Sequence, residues 1–303
     1  MKKIIVILGP TSSGKTKLAI SLANEFNGEI VGADSRQVYK GLDIGTGKDL
    51  SAYDVPYHLI DVASPNSQFN LVKYQKQAFA AIDDILKRGK LPVLTGGSGL
   101  YLQAVVDNFK LSDSKKDLAL RKEAEKLSAV ELFDKLKKLA PKMAVRLNNS
   151  DKNNKRRLVR YLEILEEDKD FKNKTGGKKY EALIIGVDCP REILKQRIAK
   201  RLEKMLKEEN LIGEVETLRR RGLSWKRLEA FGLEYKFVAL YLRKKLSYEA
   251  MAEKLNIAIN QFSKRQMTWF KRWEKMGAKI NWLKNNSSAS RIVKKFIRKI
   301  KKG

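Results

Sequence analysis

A lysine and a threonine that follow a glycine-bounded turn are the first residues whose types and spacing could do chemistry. The run G-P-T-S-S-G-K-T occupies residues 9–16, between an apolar β-branched segment at 4–8 and apolar residues at helical spacing in 18–23. This order of strand, loop and helix is what a G-x-x-x-x-G-K-[ST] phosphate-binding loop requires. Its glycines permit the tight turn, and the helix N-terminus adds partial positive charge. The predicted diphosphate-binding or polyphosphate-binding residues are Gly9, Pro10, Thr11, Ser12, Ser13, Gly14, Lys15 and Thr16, with Lys15 on the phosphates and the Thr16 hydroxyl on Mg²⁺.

Two further polar groups follow predicted strands. Asp34 comes directly after the apolar segment 28–33, and Ser98 follows the segment 91–94 in the run T-G-G-S-G-L-Y. Ligands of open α/β sheets lie beyond the carboxyl ends of the strands, so both residues should converge with the phosphate loop on one cleft. The Asp34 carboxylate could then be a Mg²⁺ partner, a general base or a helix N-cap.

The elements that must position these residues indicate an α/β protein with a P-loop NTPase-like parallel sheet flanked by helices. An apolar run at 183–187 returns the chain to the sheet, so residues 111–178 are predicted to be an α-helical insertion between core strands. The core then comprises residues 1–110 and 179–303, the latter including a basic helical C-terminal region. The shorter elements predicted along the chain are a strand at 58–62 and helices at 71–88, 118–139, 148–168, 247–273 and 291–302.

The charge balance is strongly basic. Lysine and arginine number 64 against 35 acidic residues, a net charge of +29 over 303 residues. A polyanionic partner would explain this excess, and so would a proteome rich in lysine. The single cysteine, Cys189, excludes a disulfide framework and a cysteine zinc cluster, and the single histidine, His58, is predicted to be structural. No apolar run approaches a membrane span, and the N-terminus leads directly into a strand, so we expect a cytoplasmic protein.

Several arginines have helical spacing, with more than one interpretation. Arg156 and Arg160 lie at i and i+4, which is typical of a solvated charged face or of a nucleic-acid contact. Arg197 and Arg201 repeat the spacing and could bind phosphates or form surface ion pairs with Glu203. Residues 262–273 interleave basic and aromatic side chains, which suits either a nucleic-acid surface or a buried tryptophan pair with a cationic rim.

Taken together, these motifs resemble the tRNA dimethylallyltransferases, or tRNA isopentenyltransferases, of the bacterial type. The resemblance runs from residue 9 to about residue 282. It is carried in order by G-P-T-S-S-G-K-T, A-D-S-R-Q-V-Y-K-G-L-D-I-G-T-G-K, H-L-I-D-V, G-G-S-G-L-Y, R-R-L-V-R-Y-L-E and K-R-Q-M-T-W-F. It implies transfer of a dimethylallyl group from dimethylallyl diphosphate to N6 of the adenosine 3′-adjacent to the anticodon. The phosphate loop would hold that diphosphate with Mg²⁺ and would not be an ATP site, and the enzyme would act as a monomer.

The same resemblance implies roles for individual residues. Asp34 would take the proton of the attacking amine, Ser98 would help to bind the diphosphate, and Lys15 with Arg197 or Arg201 would stabilise the departing charge. The target base would flip into a channel between core and insertion. The implied tRNA-binding residues are Asp34, Ser35, Arg36, Gln37, Ser98, Arg121, Arg156, Arg157 and Arg160. At residues 232–235 the chain departs from the family's G-Y-[KR]-[EQ] pattern, and Glu229 stands where the family usually has a basic residue. Both departures weaken the case that residues 228–235 make the tRNA contacts that the family's residues make there.

Three other functions use the same loop. A small-molecule phosphotransferase would use ATP, but it requires neither the D-S-R-Q run nor a basic insertion. A nucleic-acid-binding NTPase would need a strand that ends in an aspartate near the γ-phosphate, and Asp61 and Asp188 both follow apolar runs. Prenylation of free adenine nucleotides would not require a net charge of +29 or a large basic insertion.

Overall fold

The structure is a computed structural model that describes residues 2–112, 117–167, 176–284 and 288–298. The chain divides into two compact units, one formed by Met1–Asn108 with Gly177–Gly303 and the other by Phe109–Gly176. No helix in the described ranges is both long and apolar enough to cross a membrane.

A six-stranded parallel sheet forms the centre of the first unit. Its strands are β1 (Lys3–Leu8), β2 (Gly28–Gly32), β3 (Tyr57–His58), β4 (Leu91–Gly96), β5 (Glu181–Val187) and β6 (Ile280–Leu283). They lie in the order β3-β2-β4-β1-β5-β6, and every neighbouring pair is parallel. This arrangement confirms the predicted α/β fold class. Because β2, β4 and β1 are neighbours, the loops that follow them emerge side by side.

The helices cover both faces of the sheet. Those within the described residues are α1 (Lys15–Glu25), α2 (Leu71–Lys87), α3 (Gly99–Val106), α4 (Leu118–Lys126), α5 (Ala129–Leu139), α6 (Pro141–Arg146), α7 (Asn149–Lys152), α8 (Lys155–Glu167), α9 (Arg191–Lys207), α10 (Leu211–Arg220), α11 (Trp225–Phe231), α12 (Leu233–Leu242), α13 (Tyr248–Lys275) and α14 (Ala289–Arg298). Alternate residues of β1 point to opposite faces: Val6 packs with α2, α3 and α13, whereas Ile7 packs with α1. Covering on both faces explains why β1 is a continuous apolar run.

The second unit, Phe109–Gly176, contains α4 to α8. Its core is built from leucines on three helices, represented by Leu120, Leu136 and Leu162. The single helix predicted over 118–139 is wrong, because Ser128 and Glu131 form a capping box that starts a new helix. The helix predicted over 148–168 is likewise two, since Asn148 caps the short α7 and α8 begins at Lys155.

Three other predicted elements also differ in extent or environment. The strand predicted at 58–62 covers only Tyr57–His58, because Leu59 and Asp61 adopt left-handed backbone angles (φ 60° and 55°). The helix predicted at 291–302 is α14, which begins earlier, at Ala289, and residues 299–303 lie outside the described part. In α13, Trp273 is a core residue whose indole N–H donates to Asp107 Oδ2 at 2.9 Å.

Candidate active site

The phosphate loop closes tightly between β1 and α1. Ser12 and Gly14 have left-handed backbone angles (φ 61° and 93°), and α1 starts at Lys15 without a side-chain cap. The first backbone N–H groups of a helix lack partners within it, so they are suited to bind an anion. Lys15 folds back across the loop, where Nζ donates to the Pro10 carbonyl at 3.3 Å.

Lys15 lies in an environment that weakens its hold on a proton. Burial lowers the pKa of its ammonium to about 8, which the charge of Asp34 opposes and that of Arg201 reinforces. A phosphate bound nearby would stabilise the charged form of this lysine, because an opposite charge offsets the solvation that burial removes. The pKa of Lys15 thus links the phosphate loop electrostatically to Asp34 and Arg201.

The three loops that follow β1, β2 and β4 meet above the sheet. Gly96 of β4 is level with Leu8 of β1, and Ala33 after β2 donates its N–H to the Thr95 carbonyl at 2.7 Å. Together with α9, α12 and α13, they enclose a cleft. Its walls include Thr11, Lys15, Thr16, Asp34, Arg36, Gln37, Thr46, Gly47, Tyr53, Thr95, Arg201, Glu234, Phe262 and Gln266.

Asp34 is a turn cap and a wall of the cleft at once. Its Oδ1 accepts the backbone N–H of Arg36 at 2.9 Å and, more weakly, that of Gln37 at 3.4 Å. Across the described ranges Oδ2 accepts no hydrogen bond, and the half-buried carboxylate faces the cleft. The cap therefore orients the carboxylate and leaves one oxygen for chemistry.

Arg36 is held in place by a residue from the segment that departs from the family pattern. Its Nη1 lies 2.7 Å from Glu234 Oε2, and its guanidinium stands 5.4 Å from the Phe262 ring centre. Burial lowers the pKa of Arg36, but the charges of Glu234 and Asp34 more than offset this, so the net shift is upward. Glu234 and Phe262, which the sequence did not reveal as site residues, both line the cleft.

The two arginines on α9 have different environments. Arg201 lines the cleft, and its Nη1 approaches Thr11 Oγ1 at 3.4 Å. Burial lowers the pKa of its guanidinium, an effect that Glu234 opposes. Arg197, one turn earlier, is exposed, contacts Cys189 Sγ at 3.8 Å and is not among the cleft residues in the described part. Of the two, the structure brings only Arg201 to the phosphate loop.

Gln266 on α13 is a site residue that sequence reasoning missed. Its Oε1 accepts the Thr11 N–H at 2.9 Å, and its Nε2 donates to the Gly97 carbonyl at 2.9 Å. A Cβ on Gly97 would lie 2.3 Å from Nε2, so only glycine admits this contact. The available signal is the K-R-Q-M-T-W-F run, in which Gln266 directly follows two basic residues and is buried in the structure.

Ser98 lies at the edge of the cleft and links two loops. Its Oγ accepts the Ser35 N–H at 3.0 Å, and its own N–H donates to the Ala33 carbonyl at 3.1 Å. Neither Ser35 nor Ser98 is among the described cleft-lining residues. Asp61 is likewise elsewhere, because its carboxylate pairs with the buried ammonium of Lys48.

The arginines predicted to bind tRNA in the second unit differ in availability. Arg121 reaches both oxygens of the buried Glu163, at 2.5 and 3.1 Å, and Arg160 contacts the same carboxylate at 3.2 Å. Arg157 is exposed and paired with Asp151, while Arg156 is exposed on the outer face of α8. Two of the four arginines therefore support the fold of their unit.

The oxygen atoms of the cleft suit a magnesium ion. The Thr16 hydroxyl and the Asp34 carboxylate both line it, and hard oxygen ligands are what Mg²⁺ prefers. The described residues contain no cluster of three or more acidic, histidine or cysteine ligands. The fit is therefore to an ion that takes few protein ligands and completes its shell with phosphate and water.

Comparison with known proteins gives one family throughout. A family model described as IPP transferase matches residues 37–273, and one described as isopentenyl transferase matches residues 2–53. The chain is 44% identical to tRNA dimethylallyltransferase 1 of Syntrophus aciditrophicus, over 94% of this chain and 95% of that one. It is 45% identical to tRNA dimethylallyltransferase 2 of Citrifermentans bemidjiense, over 94% and 91%.

Solved structures agree. The tRNA isopentenylpyrophosphate transferase of Bacillus halodurans superposes with a TM-score of 0.71 at 34% identity, covering 99% of this chain and 96% of that one. A eukaryotic dimethylallyltransferase acting on tRNA superposes with a TM-score of 0.82 at 27% identity, covering 99% and 80%. The chain belongs to the tRNA dimethylallyltransferase family.

Proposed function

We infer that this protein transfers a dimethylallyl group from dimethylallyl diphosphate to N6 of the adenosine 3′-adjacent to the anticodon of tRNA. The observation that carries the assignment is that Lys15 of the phosphate loop and the Asp34 carboxylate face one cleft. Lys15 would stabilise the charge of the departing diphosphate. Asp34 would accept the proton that the weakly nucleophilic amine must lose.

The diphosphate would bind in the phosphate loop, against the amides at the start of α1. Lys15 and Arg201 converge there from two elements, and Arg201 already lies within reach of Thr11. Negative charge grows on the diphosphate as the bond from C1 of the prenyl group to oxygen breaks. Cations fixed before the reaction stabilise that charge without having to reorganise.

The nucleophile would be the exocyclic N6 of the target adenosine. N6 forms a bond to C1 as the diphosphate departs, and one N6 proton passes to Asp34 Oδ2. Capping of Oδ1 by the Arg36 amide fixes the carboxylate for this transfer. The products are N6-(dimethylallyl)adenosine and diphosphate.

Magnesium would be held by the Thr16 hydroxyl together with the substrate phosphates, with Asp34 nearby in the same wall. When bound, the ion supplies neutralising charge to the diphosphate.

Recognition of tRNA would use the segment after Asp34 and the basic second unit. A base must leave its stack to enter the cleft, where Gln37 and Arg36 offer hydrogen-bond donors to its edge. Ser35 and Ser98 border that entry. On the second unit Arg156 and Arg157 would contact phosphates, while Arg121 and Arg160, bound to Glu163, would contribute mainly charge.

The described residues that line the cleft all belong to the first unit of one chain. This supports action as a monomer. The nature of the nucleic-acid substrate supports a site of action in the cytoplasm.

Mass spectrometry of tRNA nucleosides tests the assignment. The protein, unmodified tRNA with adenosine beside the anticodon, dimethylallyl diphosphate and Mg²⁺ should yield an adenosine heavier by one dimethylallyl group. The Lys15→Ala variant should yield none, whereas Lys17→Ala, which removes an exposed lysine from the same helix, should react normally. Absence of product with efficient ATP hydrolysis would instead identify an NTPase.

A further inference from the structure

The loop at residues 43–47 forms one wall of the cleft and lies directly against Arg201. Gly47 has a left-handed backbone angle (φ 61°), and a Cβ built on it would lie 1.5 Å from Arg201 Nη2. The guanidinium therefore rests on the bare backbone of Gly47. Any movement of this loop would change the space that Arg201 occupies.

The same loop also holds a second cleft residue. Gln37 Nε2 donates to the Thr46 carbonyl at 3.2 Å. Thr46 in turn donates its hydroxyl to the Leu42 carbonyl at 2.5 Å, which makes the loop compact. Arg201 and Gln37 thus depend on one short segment for their positions.

Glu214, in the first half of α10, holds this loop by hydrogen bonds to its backbone. Its Oε2 accepts the N–H groups of Asp43 at 2.9 Å and Ile44 at 2.6 Å, and its Oε1 accepts that of Gly45 at 3.1 Å. Tyr235 donates its hydroxyl to the same Oε1 at 2.8 Å. One carboxylate therefore receives three consecutive backbone donors and a phenol.

Because Glu214 is partly removed from water, its carboxylate depends on these hydrogen bonds. Burial raises the pKa of its carboxyl, although the four donors oppose the shift. Glu214 is half-buried, and it is not among the described residues that line the cleft. We therefore do not expect its carboxylate to contact a bound diphosphate directly. Its polar atoms are directed at the loop, and the Tyr235 ring lies under Gly45, where a Cβ would be 2.7 Å from Cζ.

The loop has a second anchor, which limits the effect of losing Glu214. Lys48 Nζ donates to the Tyr39 carbonyl at 2.9 Å and to Asp43 Oδ1 at 2.6 Å, and it also pairs with Asp61. Removal of Glu214 should therefore loosen the segment between Asp43 and Gly47 without unfolding the unit.

From these contacts we infer that Glu214 is a positioning residue for the diphosphate. It fixes the loop at 43–47 so that Gly47 keeps Arg201 directed at the phosphate loop. The inference rests on the proposed function, in which Arg201 binds the diphosphate.

The sign of the expected effect distinguishes positioning from bulk charge. Removing a carboxylate near an anion site should tighten anion binding if only the electrostatic field matters. Loosening the support of Arg201 should weaken it. The exposed Glu216, two residues further along α10, provides a matched control for the loss of one negative charge.

Calorimetric titration of the full-length protein with dimethylallyl diphosphate and with inorganic pyrophosphate, both with Mg²⁺, tests the inference. We expect the Kd of Glu214→Ala to rise about tenfold, a change of about 1.4 kcal/mol, and that of Glu216→Ala to stay within about twofold. Glu214→Gln retains one side-chain acceptor and should recover part of the affinity. In an Arg201→Ala background, Glu214→Ala should change the Kd by less than about twofold, since the residue that it positions is gone.

Two results would overturn the inference: unchanged or tighter binding by Glu214→Ala, or losses that simply add in the double variant. If Glu214→Ala does not fold, Tyr235→Phe and Glu214→Gln serve as the test variants. Each should weaken diphosphate binding in the otherwise unsubstituted protein and should have no such effect in the Arg201→Ala background. Failure of the unsubstituted protein to bind either diphosphate would instead contradict the proposed function.

Discussion

Gln266 bonds to both loops that flank the diphosphate site, since it accepts the Thr11 N–H and donates to the Gly97 carbonyl, each at 2.9 Å. Thr11 and Gln266 are 255 residues apart in sequence. The side chain is 6% exposed, so these bonds are shielded from water. The helix α13 therefore completes a site whose best-known motif lies at the other end of the chain.

Replacing Gln266 with alanine should weaken both the fold and diphosphate binding. The Thr11 N–H and the Gly97 carbonyl would lose their partners, at a cost of about 1–3 kcal/mol. We expect a lower thermal midpoint and a Kd for dimethylallyl diphosphate raised about tenfold. Gln261→Ala, which removes an exposed glutamine from the same helix, should change neither. Normal diphosphate affinity in Gln266→Ala would mean that α13 does not shape the phosphate loop.

Asp34→Asn tests the base without removing the turn cap. The amide oxygen can still accept the N–H of Arg36, but the side chain cannot take a proton from N6. Single-turnover transfer should slow by about 10²–10⁴-fold, while tRNA binding remains nearly intact. Asp34→Ala should abolish transfer as well. Turnover of Asp34→Asn at the rate of the unsubstituted protein would remove the base assignment.

Diphosphate binding should weaken in mildly alkaline solution because of Lys15. Its pKa in the free protein is lowered to about 8, so the ammonium is charged below that pH and neutral above it. The Kd for dimethylallyl diphosphate should therefore rise above pH 8, with a limiting slope of about tenfold per pH unit for one proton. Lys15→Arg keeps its charge and should show no such rise. Identical pH profiles for the two proteins would assign the titration to the substrate.

Much of this site could be predicted from local sequence. The phosphate loop, Asp34 and the loop after β4 each follow an apolar strand, and parallel strands deliver their carboxyl ends to one edge of the sheet. Such predictions need only short-range patterns and the rule for where ligands bind. They do not need the contacts that distant helices make.

The remaining site residues could not be predicted because they arrive from distant helices. Glu234 looks like a departure from a pattern in the sequence, yet its carboxylate pairs with Arg36 in the cleft. Glu214 and Gln266 have no distinguishing sequence context on their helices. Their side chains accept hydrogen bonds from backbone N–H groups that are far away in the sequence. Spacing also could not choose between Arg197 and Arg201, because residues four apart share one helix face.

The boundary between α4 and α5 has a sequence signal of its own. The S-x-x-E pattern at Ser128 and Glu131 is a capping box, and it interrupts an otherwise continuous amphipathic pattern. Apolar periodicity alone cannot register such a break, since the leucine stripe continues on the next helix.

Arg156 should contribute to tRNA affinity through charge. Because it is exposed on α8, Arg156→Ala should weaken tRNA binding several-fold and reduce the slope of log K against log salt by about 1. Arg156→Lys keeps the charge and should retain that slope. Filter binding over a range of salt concentrations measures both. An unchanged slope in Arg156→Ala would place the phosphate contacts elsewhere.

Glu163 should stabilise the second unit in a pH-dependent manner. Burial raises the pKa of its carboxyl, but hydrogen bonds from Arg121 and Arg160 outweigh this and leave the pKa below its usual value. A carboxyl whose pKa is lower in the folded state stabilises that state above the unfolded-state pKa, and this contribution is lost as the pH falls through the folded-state value. Glu163→Gln should therefore destabilise the unit by about 1–3 kcal/mol at pH 7 and by less at pH 4.

Hydrogen exchange of the full-length protein can locate this effect. The amides of α4 and α8 should exchange faster in Glu163→Gln at pH 7, because α8 carries Glu163 and Arg160 while α4 carries Arg121. Glu166→Gln removes an exposed carboxylate from the same helix and should leave the exchange unchanged. Equal protection in Glu163→Gln and the unsubstituted protein at pH 7 would show that the buried carboxylate does not stabilise the unit.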